Sequence, residues 1–310
     1  MKNLFLLATI LLVGGAGCPL VKSTPTQTAP AVPPVRMEQG IKTAVTGTAK
    51  VDPKAPVVFA ETSLSLISEK KSTKPIGLPG KLPFSLQMQT VKQEWRSPST
   101  TVTREIPKLV YPRKPAKALA FNDLINQKTD QITGDFLQQV ADWESDNNNT
   151  KLPVAERVNF IAVSVVARTV NAKVLSLVID INTYYAGSPH PNHNTQSFNY
   201  DLEKDQELKL ADLFVGGKAF ITKLSTEAVA IIKTTPNEKG DLVEYDKTWL
   251  EAGAGPKESN YHTVTLAPTG FYIEFDPYDI DSYAAGPVEI FIPYAQLEGY
   301  VSARVSELVK

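Results

Sequence analysis

Residues 159–168, NFIAVSVVAR, and 174–185, VLSLVIDINTYY, are two runs of β-branched, aliphatic and aromatic residues with Asn171, Ala172 and Lys173 between them. Side chains of this kind fit a pleated, half-buried surface, and a short polar break between two such runs predicts a long antiparallel hairpin. Upstream, Phe84, Leu86 and Met88 alternate, and a second strand is expected over 101–111 before Pro112. Phe121, Leu124, Ile125, Ile132, Phe136, Val140 and Trp143 recur at helical spacing, and the polar run SDNNNTKLP at 145–153 closes that helix. Downstream, a strand over 197–202 turns through 203–206 and returns over 208–210, and a helix is expected over 218–233. Beyond a loop near 236–260, 263–266 and 271–275 form another hairpin around Ala267–Gly270, followed by a strand at 288–292. A last helix opens at Pro293 and turns Tyr294, Leu297, Val301, Val305 and Leu308 inward. Strands come in hairpins and helices fall between sets of strands. The expected class is therefore α+β, an antiparallel sheet of hairpins with packed helices.

The N-terminus reads as an export signal. Lys2 precedes an apolar run, LFLLATILLV at 4–13, that is too short to span a bilayer core about 30 Å thick. It ends in Gly14-Gly15-Ala16-Gly17-Cys18, which resembles a lipoprotein cleavage site, although Gly15 stands where an aliphatic residue is usual. Cys18 is the only cysteine of the 310 residues, and unacylated it would be an unpaired thiol in an oxidising compartment. Lipidation at Cys18 is expected, with enough buried methylenes to anchor the chain stably. Residue 19 is Pro and not an aspartate that would signal inner-membrane retention, which favours the outer membrane in a two-membrane cell. Residues 1–17 are then a signal peptide and 18–80 a lipid-anchored Pro/Thr-rich tether. The order of 37–80 is left open, with weak strand patches at 57–60 and 64–67.

A net charge of −1 conceals an asymmetry. Residues 36–120 carry 15 Lys/Arg against 6 Asp/Glu, whereas 259–303 carry 6 Asp/Glu and no Lys or Arg. The basic part suits anionic headgroups or wall polymers, and the acidic part suits a cationic partner. No nucleic-acid partner and no cofactor are expected.

Two stretches concentrate side chains able to bind. The first is 184–193, YYAGSPHPNH, a Pro-rich loop with two imidazoles after a strong strand. The second is 275–287, FDPYDIDSYAAGP, with three carboxylates and two tyrosines between strands. Tyrosine offers rigid contact area with a polar tip. Candidate ligand contacts are Tyr185, His190, His193, Tyr278, Asp279, Asp281 and Tyr283. A metal shared by His190 and His193 needs an added carboxylate, and no HExxH spacing occurs, so no metal ligand is assigned. Ser188 beside His190 lacks a nucleophile elbow, and no catalytic residue is assigned. Asp142, Glu144, Asp146 and Asn148 alternate like the start of a calcium loop, but Asn147 replaces its glycine and Pro153 its last ligand.

Taken together, 184–190, 198–202 with 208–214, and 275–287 with Ile292-Pro293-Tyr294 resemble the RsiV-like family of extracytoplasmic domains, the outer domain of lysozyme-sensing anti-sigma factors. Residues 111–181 resemble the accessory domain of PdaC-like deacetylases. The resemblance implies a PdaC-like domain over 81–190 and an RsiV-like domain over 191–310. With Met1 to Asn3 alone ahead of the apolar run, no sigma-binding segment is expected, and no deacetylase domain is expected either. The expected function is that of a non-enzymatic envelope lipoprotein binding a lysozyme-type muramidase or peptidoglycan. A metal-dependent cell-wall hydrolase or deacetylase using His190, His193 and a carboxylate is the first alternative. A structural envelope lipoprotein is the second.

Overall fold

The computed structural model describes residues 65–76, 80–96, 98–145, 152–153, 156–236 and 242–310, the first segment by its backbone. They fall in one compact unit, Lys50–Lys310. Cys18, the signal peptide, the patch at 57–60 and most of the tether lie outside the described residues.

The class is α+β with mainly antiparallel sheets. A seven-stranded sheet runs in chain order: β1 (Ser65–Ile76), β2 (Ser85–Arg96), β3 (Ser99–Val110), β4 (Val158–Val170), β5 (Val174–Tyr184), β6 (Asn192–Asp201) and β7 (Gln206–Leu208). The hairpin read from 159–185 is β4 and β5, with Phe160 opposite Tyr184 and Val165 opposite Ile179. One pair departs from the antiparallel expectation. β3 and β4 run parallel, joined by α1 (Pro115–Ser145), which makes a βαβ unit of a segment read as strand, helix and hairpin. The helical period and the strand runs were visible in the sequence, but the direction of the β3–β4 pairing depends on where a 31-residue helix returns the chain.

α1 covers one face of this sheet. Ala118, Phe121, Ile125, Phe136 and Val140 are buried at three- and four-residue spacing against Val102, Ile161, Val163, Leu175, Leu177, Ile179, Phe198 and Tyr200. Asn122 fixes the helix to the end of β3: its Oδ1 accepts from the Leu109 backbone N–H at 2.7 Å and its Nδ2 donates to the Leu109 carbonyl at 3.0 Å. β4 pairs with β3 only as far as Glu105, so the amide side chain completes hydrogen bonding that the ladder leaves unmade there.

The second half adds α2 (Leu210–Leu213), α3 (Ala219–Ile232), α4 (Lys247–Ala254) and α5 (Ala303–Leu308), with a three-stranded sheet ordered β10 (Val288–Pro293), β9 (Gly270–Phe275), β8 (Val264–Leu266). Its core holds Leu224, Ala228, Ile232, Leu250, Phe271, Ile273, Phe275, Ile292, Val305 and Leu308. α4 lies inside the stretch read as loop. Asp246 starts it by accepting from Thr248 N–H at 2.8 Å and Trp249 N–H at 3.1 Å. The last helix is also different from its reading: a 3-10 turn at Tyr294–Leu297 is cut off from α5 at Gly299, whose φ of 82° is left-handed.

The C-terminus is tied to the large sheet by an ion pair. Arg304 donates from Nε to Asp201 Oδ2 at 2.7 Å and from Nη2 to Asp201 Oδ1 at 2.8 Å, and the Asp201 side chain is 0% exposed. Burial would raise the Asp201 pKa, but Arg304 and the backbone N–H groups of Lys204 and Glu203 outweigh it and hold the carboxyl below its ordinary value. The stabilisation is therefore present above the ordinary carboxylate range and lost as pH falls through the lowered pKa. Arg304→Met strands a buried carboxylate, and urea titration at neutral pH is expected to show a loss of about 3 kcal/mol. That difference should shrink at acid pH as Asp201 protonates.

Candidate functional site

The interior strand β5 separates apolar from polar chemistry by its period of two. Leu175, Leu177, Ile179 and Ile181 face α1, whereas Ser176, Asp180 and Asn182 alternate with them on the opposite face. Cross-strand pairing sets Ser176 opposite Asn199, Asp180 opposite Thr195 and Asn182 opposite His193 on β6. This polar face receives β8. Ser176 Oγ donates to Asn199 Oδ1 at 2.6 Å and accepts from the Leu266 N–H at 2.8 Å, and Asn199 Nδ2 donates to the Val264 carbonyl at 2.8 Å.

At the end of that face lies Asp276, which follows β9 and is buried. Its Oδ2 accepts from the Thr195 backbone N–H at 3.0 Å and its Oδ1 from the Thr195 hydroxyl at 2.8 Å. The same Oδ2 is 3.0 Å from His262 Nε2. Burial opposes the charged form of His262, but hydrogen bonding to Asp276 and the charges of Asp276 and Asp279 prevail, and its pKa is raised. Asp279 Oδ2 accepts from the Asp276 N–H at 2.8 Å, and the Asp279 N–H donates to the Asp276 carbonyl at 3.0 Å. This turn forces Tyr278 to a φ of 75°, a left-handed conformation unusual outside glycine.

Fixed in this way, the 276–287 loop meets the 185–191 loop. The His190 ring stacks on Tyr283 with centroids 3.7 Å apart and planes within 17°. Tyr278 lies 5.6 Å from Tyr283 and 6.2 Å from His190, and Trp249 of α4 approaches Tyr278 at 6.5 Å. His190 Nδ1 is 2.9 Å from the Pro191 carbonyl, which only accepts, so Nδ1 carries the proton. In the neutral ring Nε2 then accepts from the Tyr278 hydroxyl at 3.2 Å. Tyr278 is 43% exposed. The result is an aromatic surface with polar edges.

The structure thus brings His190, Tyr278 and Tyr283 together. His193 is separate: it sits on β6, which begins five residues before the expected strand, and its Nε2 is 3.0 Å from Asp180 Oδ2. A metal pair of His190 and His193 is not formed, since one ring stacks on Tyr283 and the other turns to Asp180. Tyr185 packs on Phe136 of α1 with its hydroxyl 2.7 Å from Gln139 Oε1, and burial pushes its pKa up to about 12. Asp281 Oδ1 accepts from the Ser282 N–H at 2.6 Å. Sequence reasoning passed over Trp249, hidden in an expected loop, and Asp180, whose only signal was a carboxylate within an apolar strand. A cleft of about 340 Å³ lies elsewhere, between α1 and β6–β7. Two of its charged residues pair with each other, Lys128 Nζ to Glu207 Oε1 at 2.8 Å.

Residues 211–295 match the model of the DUF3298 family, whose description is a protein of unknown function. Over 229 residues the chain is 24% identical to the peptidoglycan-N-acetylmuramic acid deacetylase PdaC of Bacillus subtilis strain 168. That match covers 73% of this chain and 48% of the relative, so the chain spans about half the length of the curated relative it matches. A solved DUF3298 family member from Bacteroides fragilis shares the fold, with a TM-score of 0.50, 20% identity, and coverage of 80% of this chain and 98% of that one. A DUF3298 family protein from Pseudomonas aeruginosa PAO1 aligns with a TM-score of 0.43 and 16% identity over 78% of this chain and 96% of that one.

Two outcomes check this geometry. The Asp180 hydrogen bond is the main cause that raises the His193 pKa, ahead of burial, which opposes it. The stability it lends is complete below the ordinary histidine pKa and lost as pH rises through the raised one. Asp180→Asn should move the His193 titration followed by NMR to lower pH. A methyl group on Gly253 of α4 would lie 1.9 Å from the Asp279 carbonyl oxygen. Gly253→Ala is expected to cost about 1–3 kcal/mol in urea titration as the turn is displaced.

Proposed function

We propose that this chain is a lipid-anchored envelope protein that binds peptidoglycan glycan strands on the surface formed by His190, Tyr278 and Tyr283. The observation that carries the reading is the stacking of His190 on Tyr283 beside an exposed Tyr278, which joins the two loops in one place. Aromatic faces attract the apolar C–H faces of pyranose rings by dispersion, and the Tyr hydroxyls supply hydrogen bonds at the edge. An open surface also suits a polymer better than a small molecule needing enclosure. The relative PdaC acts, by its name, on N-acetylmuramic acid of peptidoglycan, and similarity to it supports a wall glycan as ligand. The role is binding without catalysis. Lipidation at Cys18 places the domain within reach of the wall.

Purified chain should sediment with isolated peptidoglycan sacculi and give saturable calorimetric binding of soluble glycan fragments. Tyr278→Ala and Tyr283→Ala should each weaken binding about tenfold, the equivalent of about 1.4 kcal/mol for one lost aromatic contact. Unchanged binding in both variants sinks the proposal. Binding of a muramidase with no binding of glycan would replace it with the protein ligand that RsiV-like domains suggest.

A further inference from the structure

We propose that His262, Asp276 and Asp279 form a site for one divalent transition-metal cation at the open end of the β8–β9 hairpin. The placement follows from register. Val264 pairs with Ile273, and the Glu274 N–H donates to the Thr263 carbonyl at 3.1 Å, so the chain just ahead of β8 lies beside the chain just after β9. His262 and Asp276 are held there by the backbone, and the tight turn returns Asp279 to the same point.

Three features favour a cation. The first is spacing. His262 Nε2 is 3.0 Å from Asp276 Oδ2 and 3.7 Å from Asp279 Oδ2, and the donor atoms all lie within 4.8 Å of one another. Ligands at zinc bond lengths of about 2.0–2.1 Å in a tetrahedral shell lie about 3.3 Å apart, so small side-chain rotations close the set around an ion. The second is orientation. Asp276 is pinned by Thr195 through its backbone N–H and its hydroxyl, the outer-shell support that fixes a ligating carboxylate. Where the imidazole is neutral, Nε2 directs its lone pair at the ion, and Asp276 Oδ2 keeps a lone pair beyond its bond from Thr195.

The third is charge. One imidazolium balances one of the two carboxylates, whereas a dication with a neutral imidazole balances both. The neighbours add more negative charge: Asp180 and Glu274 stand close by, with His193 on Asp180 and Arg168 on Glu274 and Glu289. His262 and Asp279 keep 26% and 32% of their side-chain surface, which leaves an entry path and a position for water on the ion. One imidazole with two carboxylates suits Zn²⁺ or Mn²⁺ better than a soft ion such as Cu(I).

The claim is independent of the glycan reading and is tested without it. Full chain stripped with chelator is titrated calorimetrically with ZnCl₂ and, separately, MnCl₂. One equivalent of either should bind, with a higher melting temperature than in chelator. His262→Ala and Asp279→Asn, each checked for an unchanged circular dichroism spectrum in chelator, should lose that binding at least tenfold. Tyr283→Ala should keep it. Absence of a saturable equivalent for both metals overturns the site. So does stoichiometric binding that survives both ligand substitutions, as it would if Cys18 or His193 were the true ligand.

Discussion

The arrangement of the aromatic surface depends on one buried carboxylate. Asp276 receives the backbone N–H and hydroxyl of Thr195 from β6 and faces the ring of His262 ahead of β8. A buried carboxylate without partners is costly, so these groups must converge wherever Asp276 is placed. Their convergence fixes the end of the small sheet against the polar face of the large one. It also determines where the 277–287 loop begins and therefore where Tyr278 and Tyr283 can reach. The neighbouring Ser176–Asn199 bonds to β8 serve the same junction from further along the face, but they position no exposed ring.

The division of β5 into two faces explains why one strand supports both a core and a site. Its apolar residues complete the layer under α1, and its polar residues are retained in partly buried surroundings because β6 and β8 supply partners for them. Such networks resist sliding, since a one-residue slip of β5 would turn Asp180 and Ser176 into the apolar layer and Leu175 and Ile179 out of it. The same pairing holds β6, whose first residues Asn192, His193 and Asn194 have little strand preference of their own.

That last point marks how far the sequence could be read. The β4–β5 hairpin, the amphipathic face of α1 and the β8–β9 hairpin are written in local periodicity, and each formed where its apolar residues recur. The beginning of β6 is not, because polar residues are extended there only by cross-strand bonding. α4 was signalled by Asp246 ahead of Leu250 and Ala254, a cap followed by one helical repeat, too short a pattern to stand out in a long loop. Of the site, both loops could be picked out by their rings and carboxylates, but not their meeting. His190 and Tyr278 are 88 residues apart, and what joins them is the Asp276–Thr195 contact, whose partners are 81 residues apart and individually unremarked.

Tyr278 carries a further consequence. Its φ of 75° is a conformation in which glycine or asparagine would be at ease and a bulky side chain is under strain of about 1–2 kcal/mol. A lineage selected only for a stable turn would therefore drift away from tyrosine at this position, and would gain stability by doing so. At this position the strained turn and the ring's contacts with His190, Tyr283 and Trp249 are set against each other, so a variant that relieves the one gives up the other.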